Sequence, residues 1–310
     1  MDNEFMLPNG IRTIVKSISF FDSGNIESVV LSQNSKFFVT LPNTKMIKPL
    51  ALGFDENGKI NWVKLNKDEI VILTLPNSDK KKIRVTELGF NTDGKFTYLK
   101  LPYGDKIDIE LPNNIYAKVI EITYYNTGEI KDVTLLSGEN ISIDEKKVKI
   151  RRISFYITGK IKKLYFVFGE SITLYNNILY PKEIEYYENG DIKSFLLGDG
   201  HYFSVVIPKT KEEIKIFSAL FYFSMDLHEV KLLPGENVTL PDGRKVEVSS
   251  ISFDEYGNII ETKMYTGETK NFNTQKEYNN EITFYDKTEN IIDYNHGNLY
   301  LDDENKEMYQ

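Results

Sequence analysis

The chain has 310 residues, of which 41% are hydrophobic and 13% aromatic, with 20 Tyr and 19 Phe; that much apolar surface excludes a disordered chain. A formal net charge of -8 excludes the clustered positive field on which affinity for a phosphate backbone rests, so no nucleic-acid partner is expected. Without cysteine there are no disulfides, thiolate nucleophiles or thiolate zinc ligands.

At the start, Met1-Asp2-Asn3-Glu4-Phe5 has neither the basic nor the apolar region of a secretory signal. No apolar run is long enough for a transmembrane helix, so no transmembrane segment is expected. The compartment stays open between cytoplasmic and exported.

In chain order, one sentence recurs. It runs Ile18-Ser-Phe20-Phe-Asp-Ser-Gly24-Asn-Ile26, then Leu52-Gly-Phe54-Asp-Glu-Asn-Gly58-Lys-Ile60, then Leu88-Gly-Phe90-Asn-Thr-Asp-Gly94-Lys-Phe96. Further copies occupy 122–130, 153–161, 184–192 and 251–259; a degraded copy begins at Ala219 with Met225 in the glycine slot, and a last copy begins at Ile282. The slots fall near 24, 58, 94, 128, 159, 190, 225, 257 and 289, a period of 31 to 36 residues. Such a period marks a tandem-repeat architecture. About nine repeats therefore form one all-β array over 1–310, an open solenoid-like or coiled sheet of antiparallel hairpins, with a closed β-propeller as the alternative fold.

Each repeat reads as strands of β-branched and aromatic residues between turn tokens such as Tyr-Gly-Asn and Pro-Asp-Gly. The first strand breaks parity: Val246, Val248, Ile251 and Phe253 are spaced two, three, two, as are Val148, Ile150, Ile153 and Phe155. Side chains alternate with period two, so the extra residue predicts a bulge or corner in every repeat. An aromatic column, Phe20, Phe54, Phe90, Tyr124, Phe155, Tyr186, Phe221, Phe253 and Phe284, is expected to stack as the spine of the core.

The position after that column holds Phe21, Asp55, Asn91, Tyr125, Tyr156, Tyr187, Tyr222, Asp254 and Tyr285. Tyr125, Tyr156, Tyr187 and Tyr222 are the candidate partner-binding residues: a ladder of rigid amphipathic side chains for a protein partner, or else a second packed layer.

No catalytic, cofactor-binding or metal-binding residue is expected. His201, His228 and His296 lie in different repeats without metal-ligand spacing. Asp302-Asp303-Glu304 lacks the pattern of a calcium loop, and Asp302 to Glu307 suits a terminal cap. The turn pairs Asp55-Glu56 and Asp254-Glu255 could serve a hydrolase only by facing one cleft; turn acids usually bond their own backbone.

The segment Tyr186-Tyr187-Glu188-Asn189-Gly190-Asp191-Ile192-Lys193-Ser194 resembles the hairpin unit of bacterial MORN-type repeats in the YwqK-like antitoxin-component family, with weaker matches at 124–130 and 253–259. The resemblance covers a third of each repeat. It implies a single-layer sheet and a scaffold or membrane-contact role, whereas the longer period and the missing second Gly-rich half depart from that pattern. The functions left open are a non-enzymatic interaction scaffold, a hydrolytic propeller enzyme and a passive envelope component.

Overall fold

A computed structural model describes residues 3–40, 46–74, 80–136, 139–143, 146–174, 177–265 and 269–271. The chain divides into two units, Met1–Asp191 and Ile192–Gln310. Both are antiparallel β-structures without an α-helix among the described residues.

In the first unit the strands pair in chain order. Arg12–Phe20 pairs with Ile26–Leu31, followed by Ala51–Phe54, Ile60–Lys64, Glu87–Phe90, Phe96–Lys100, Ile115–Tyr124, Ile130–Leu135, Lys146–Phe155, Ile161–Phe166 and Pro181–Tyr186. The ladder keeps two separate ends among the described residues, which makes it an open array. The second unit repeats the arrangement with Ile192–Leu197, Glu213–Phe221, Leu227–Leu232, Ser250–Phe253, Ile259–Lys263 and Thr269–Asn271.

One face of the first sheet is a continuous aliphatic ladder. Val29, Leu52, Val63, Leu88, Leu99, Ile122, Val133, Ile153, Leu164 and Ile184 sit opposite one another across successive strands, and all are buried. Each stabilises the fold by about 1.5–3 kcal/mol, so the ladder holds the sheet together without any disulfide.

Smaller hairpins, here called arms, separate the sheet hairpins. Ile70–Thr74 pairs with Lys80–Arg84, Ile107–Leu111 with the start of Ile115–Tyr124, and Asn140–Ile143 with the start of Lys146–Phe155. Their apolar side chains, among them Val71, Ile83, Ile109, Ile141 and Val148, are buried with the ladder.

The parity break is what turns an arm onto the sheet. Register shifts fall between Val15 and Ser17, Val119 and Glu121, Ile150 and Arg152, and Ile216 and Ser218. Elsewhere the strand simply stops at this point, as between Lys80–Arg84 and Glu87–Phe90. The extra residue thus lets one chain keep its apolar side chains inward along both arm and sheet.

The aromatic spine is buried at Phe54, Phe90, Tyr124, Phe155 and Phe253 but not throughout. Phe20 is 53% exposed, because no described repeat precedes it to cover its ring. Tyr186 and Phe221 are partly exposed. Phe284, Tyr285, His296 and the acidic segment from Asp302 lie outside the described residues.

Candidate functional site

Every described repeat turn uses the same backbone geometry. The Tyr125 N–H donates to the Glu129 carbonyl and the Gly128 N–H to the Tyr125 carbonyl, and equivalent pairs recur at Tyr156, Tyr187 and Tyr222. The glycine slot has positive φ, 110° at Gly128 and 85° at Gly159, a region closed to most side chains. In the degraded repeat Met225 occupies that region with a φ of 71°.

The four candidate tyrosines are partly exposed. Tyr125 donates its hydroxyl to the Phe155 carbonyl at 2.9 Å, Tyr156 to the Tyr186 carbonyl at 2.7 Å, and Tyr222 to the Phe253 carbonyl at 2.8 Å. Each bond crosses to the next repeat and ends on that repeat's aromatic. Lys131 lies 5.9 Å from the ring of Tyr125, Lys162 lies 5.8 Å from that of Tyr156, and His228 meets Tyr222 edge-on at 4.4 Å. Burial raises the hydroxyl pKa of Tyr125 and Tyr222. The column therefore fastens neighbouring repeats. Tyr187 shares its place in the turn.

Where the slot is Asp, the side chain serves its own turn. Asp55 Oδ1 accepts from the N–H groups of Asn57 and Lys59 at 3.0 and 2.8 Å, and Asp254 Oδ1 from those of Tyr256 and Asn258 at 2.9 and 2.8 Å. Among the described residues no three His, Asp or Glu side chains gather as a metal site. A surface cleft of about 630 Å³ between Pro112, Tyr124, Gly128 and Gly159 contains Glu129 and Lys95 as its charged residues.

Two features escape the repeat reading. The first is the arm tip. Leu7-Pro8, Leu111-Pro112 and Ile207-Pro208 each place a proline against a turn glycine one repeat further on, at Gly58, Gly159 and Gly257. Asn113 also donates its side-chain amide to the Gly159 carbonyl at 3.2 Å. The recurring Leu-Pro pair, present again at 41–42, 75–76 and 240–241, was the available signal.

The second is the outer face of the first sheet, opposite the aliphatic ladder. One cross-strand row reads Ser19, Ser28, Gly53, Trp62, Gly89, Tyr98, Thr123, Asp132, Ser154, Lys163 and Glu185. The adjacent row reads Val30, Ala51, Lys64, Glu87, Lys100, Glu121, Thr134, Arg152, Tyr165 and Glu183. Its charges alternate and pair locally, within the row or with the first one: Lys64 with Glu87 at 3.7 Å, Arg152 with Asp132 at 3.3 Å, Glu183 with Lys163 at 2.7 Å. Burial raises the pKa of Glu121, while Lys100, Arg152 and a hydrogen bond from Tyr98 oppose that shift. The glycines at 53 and 89, where other repeats carry Ser, Thr or larger residues, and the single tryptophan were the signal here.

No family model matches the chain, and no curated protein matches it. Among solved structures it is similar to TcdB2-TccC3 without the hypervariable C-terminal region, at 9% identity and a TM-score of 0.14, and to a mutant Tc holotoxin pore of Photorhabdus luminescens, at 10% identity and a TM-score of 0.14. These matches cover 89% and 86% of this chain but only 15% and 16% of those chains. No helix of the described residues is long and apolar enough to cross a membrane.

Proposed function

We propose that the chain is a non-enzymatic repeat scaffold that binds a partner across the outer face of its first sheet. The observation that carries this reading is the asymmetry of that sheet. One face is sealed by the aliphatic ladder, while the other holds Trp62, Tyr98 and Tyr165 partly exposed among charged side chains. A rigid β-sheet fixes the spacing of such groups, which is what a recognition surface needs and what repeat proteins commonly offer. The turn carboxylates Asp55 and Asp254 are occupied by their own backbones, which favours a scaffold over a hydrolase. A second reading places a protein partner on the tyrosine column, favoured by the partly exposed rings of Tyr125, Tyr156, Tyr187 and Tyr222.

A diazirine-bearing residue at Thr123 or Thr134 on the outer face, beside one at Ile157 in a tyrosine turn, separates these readings in the native host. Cross-links at 123 and 134 alone support the outer face, and cross-links at 157 alone support the column. Equal yields at all three, or none, contradict a defined binding face.

A further inference from the structure

The ligand class follows from the middle of the outer face and rests on the reading of that face as the binding surface. Gly53, Trp62, Gly89 and Tyr98 are consecutive across four neighbouring strands. Side chains normally stand perpendicular to a sheet, so a ring shows solvent its edge. A glycine alongside removes the neighbour that would hold the ring upright. The Trp62 ring uses that space, since a Cβ on Gly53 would lie 3.4 Å from its Cε3, and the Tyr98 side chain starts close over Gly89, where a Cβ would lie 2.9 Å from Tyr98 Cβ. Tyr98 hydrogen-bonds to Glu121, which stands on the neighbouring strand two residues from its cross-strand partner Thr123.

The hairpin bulges add a polar group beside each glycine. Asn61 and Thr97 are the residues left over by the register shifts at Gly53/Phe54 and Gly89/Phe90. Asn61 Oδ1 and Thr97 Oγ1 come within 3.0 and 3.1 Å of the same two vacant Cβ positions. The set of glycine, aromatic ring and small polar side chain thus occurs twice. Its two copies are displaced by two strands, about 9.6 Å at the usual interstrand spacing. Alongside, Lys64, Glu87, Lys100 and Glu121 alternate in sign, leaving donors and acceptors without a net local charge.

We infer that this platform binds an extended, uncharged β-linked polysaccharide laid across the strands. A pyranose with equatorial hydroxyls has apolar C–H faces that cover an aromatic face, and a rim of hydroxyls for amide, hydroxyl, carboxylate and ammonium partners. A site that repeats suits a ligand that repeats, and the two-strand displacement is close to the disaccharide repeat of such a polymer. A polyanion finds no matching field, since the flanking charges cancel and the chain carries a net charge of -8.

Isothermal titration calorimetry of the full chain with cellohexaose, chitohexaose and polygalacturonate tests the assignment. At least one neutral hexasaccharide is expected to bind. Trp62→Ala and Tyr98→Ala should each weaken binding by about tenfold or more, while Tyr103→Ala, at an aromatic in the turn outside both rows that is 96% exposed, leaves it unchanged. Trp62→Phe, which keeps a ring, should retain most of the affinity and covers the case in which the alanine variant does not fold. Silence with both neutral hexasaccharides, binding of polygalacturonate alone, or binding indifferent to Trp62 and Tyr98 overturns the assignment. A protein cross-linked through position 123, together with silence in the calorimeter, sinks the glycan and leaves the outer-face reading standing.

Discussion

The hydroxyl of Tyr156 donates to the main-chain carbonyl of Tyr186 at 2.7 Å, joining the turn of one repeat to the strand end of the next. A repeat array is stable only through its nearest-neighbour interfaces, and this bond belongs to one. Tyr156→Phe keeps the ring beneath Lys162 and removes only the donor. Its expected effect is a loss of about 0.5–1.5 kcal/mol, read as a lower denaturant midpoint at constant slope. An unchanged midpoint would show that water serves the carbonyl equally well.

The arm tips make a similar interface with a different chemistry. Gly58 and Gly94 share nearly the same backbone, with φ of 78° and 76°, but Pro8 lies 2.6 Å from where a Cβ on Gly58 would sit, whereas none of the described residues comes within 4 Å of one on Gly94. Gly94→Ala should cost about 1–2 kcal/mol from backbone strain alone. Gly58→Ala should cost a further 1–3 kcal/mol, roughly, through overpacking against Pro8. Equal losses in thermal or denaturant unfolding would mean that the arm tip yields without resistance.

Met225 runs the same comparison in reverse. It holds the left-handed conformation that the other described repeat turns give to glycine. Met225→Gly should stabilise the second unit by about 1 kcal/mol, the strain relieved less the extra chain entropy of glycine. A calorimetric melt of the variant beside the parent checks this, and a lower midpoint would assign the Met225 side chain a packing role larger than its strain.

Glu121 makes stability depend on pH. Burial holds its carboxyl above the usual range despite Lys100, Arg152 and the bond from Tyr98. The folded state then binds a proton more tightly than the unfolded chain. This group's unfavourable contribution is absent below the unfolded carboxylate pKa and grows as pH rises through the folded one. Glu121→Gln is therefore expected to stabilise at neutral pH and to converge on the parent in acid. A Gln variant that is less stable at neutral pH would show that the charge interactions outweigh burial.

Much of this fold was legible in the chain. The glycine slots located the turns, and the spacing of Val148, Ile150, Ile153 and Phe155 announced the register shift between Ile150 and Arg152. That inference needs only the period of two and an apolar core. The tyrosine column was legible as a position but not as a bond, because the acceptor of Tyr125 is a main-chain carbonyl 30 residues away, and carbonyls leave no mark in a sequence. Phe20 fits the pattern of the buried spine, yet its exposure depends on which repeats surround it. The outer-face rows were hardest to foresee. They depend on which strands are neighbours, so Gly53, Trp62, Gly89 and Tyr98 become one feature only once the register is known.

Trp62 is the only tryptophan, and it stands on the outer face between Gly53 and Gly89, so its emission reports on the surface at issue. The decisive measurement is acrylamide quenching of that emission, with and without a saturating neutral hexasaccharide. The account predicts ready quenching in the free protein and protection when the ligand is bound. A Trp62 already shielded in the free chain, or quenched equally in both states, would contradict it.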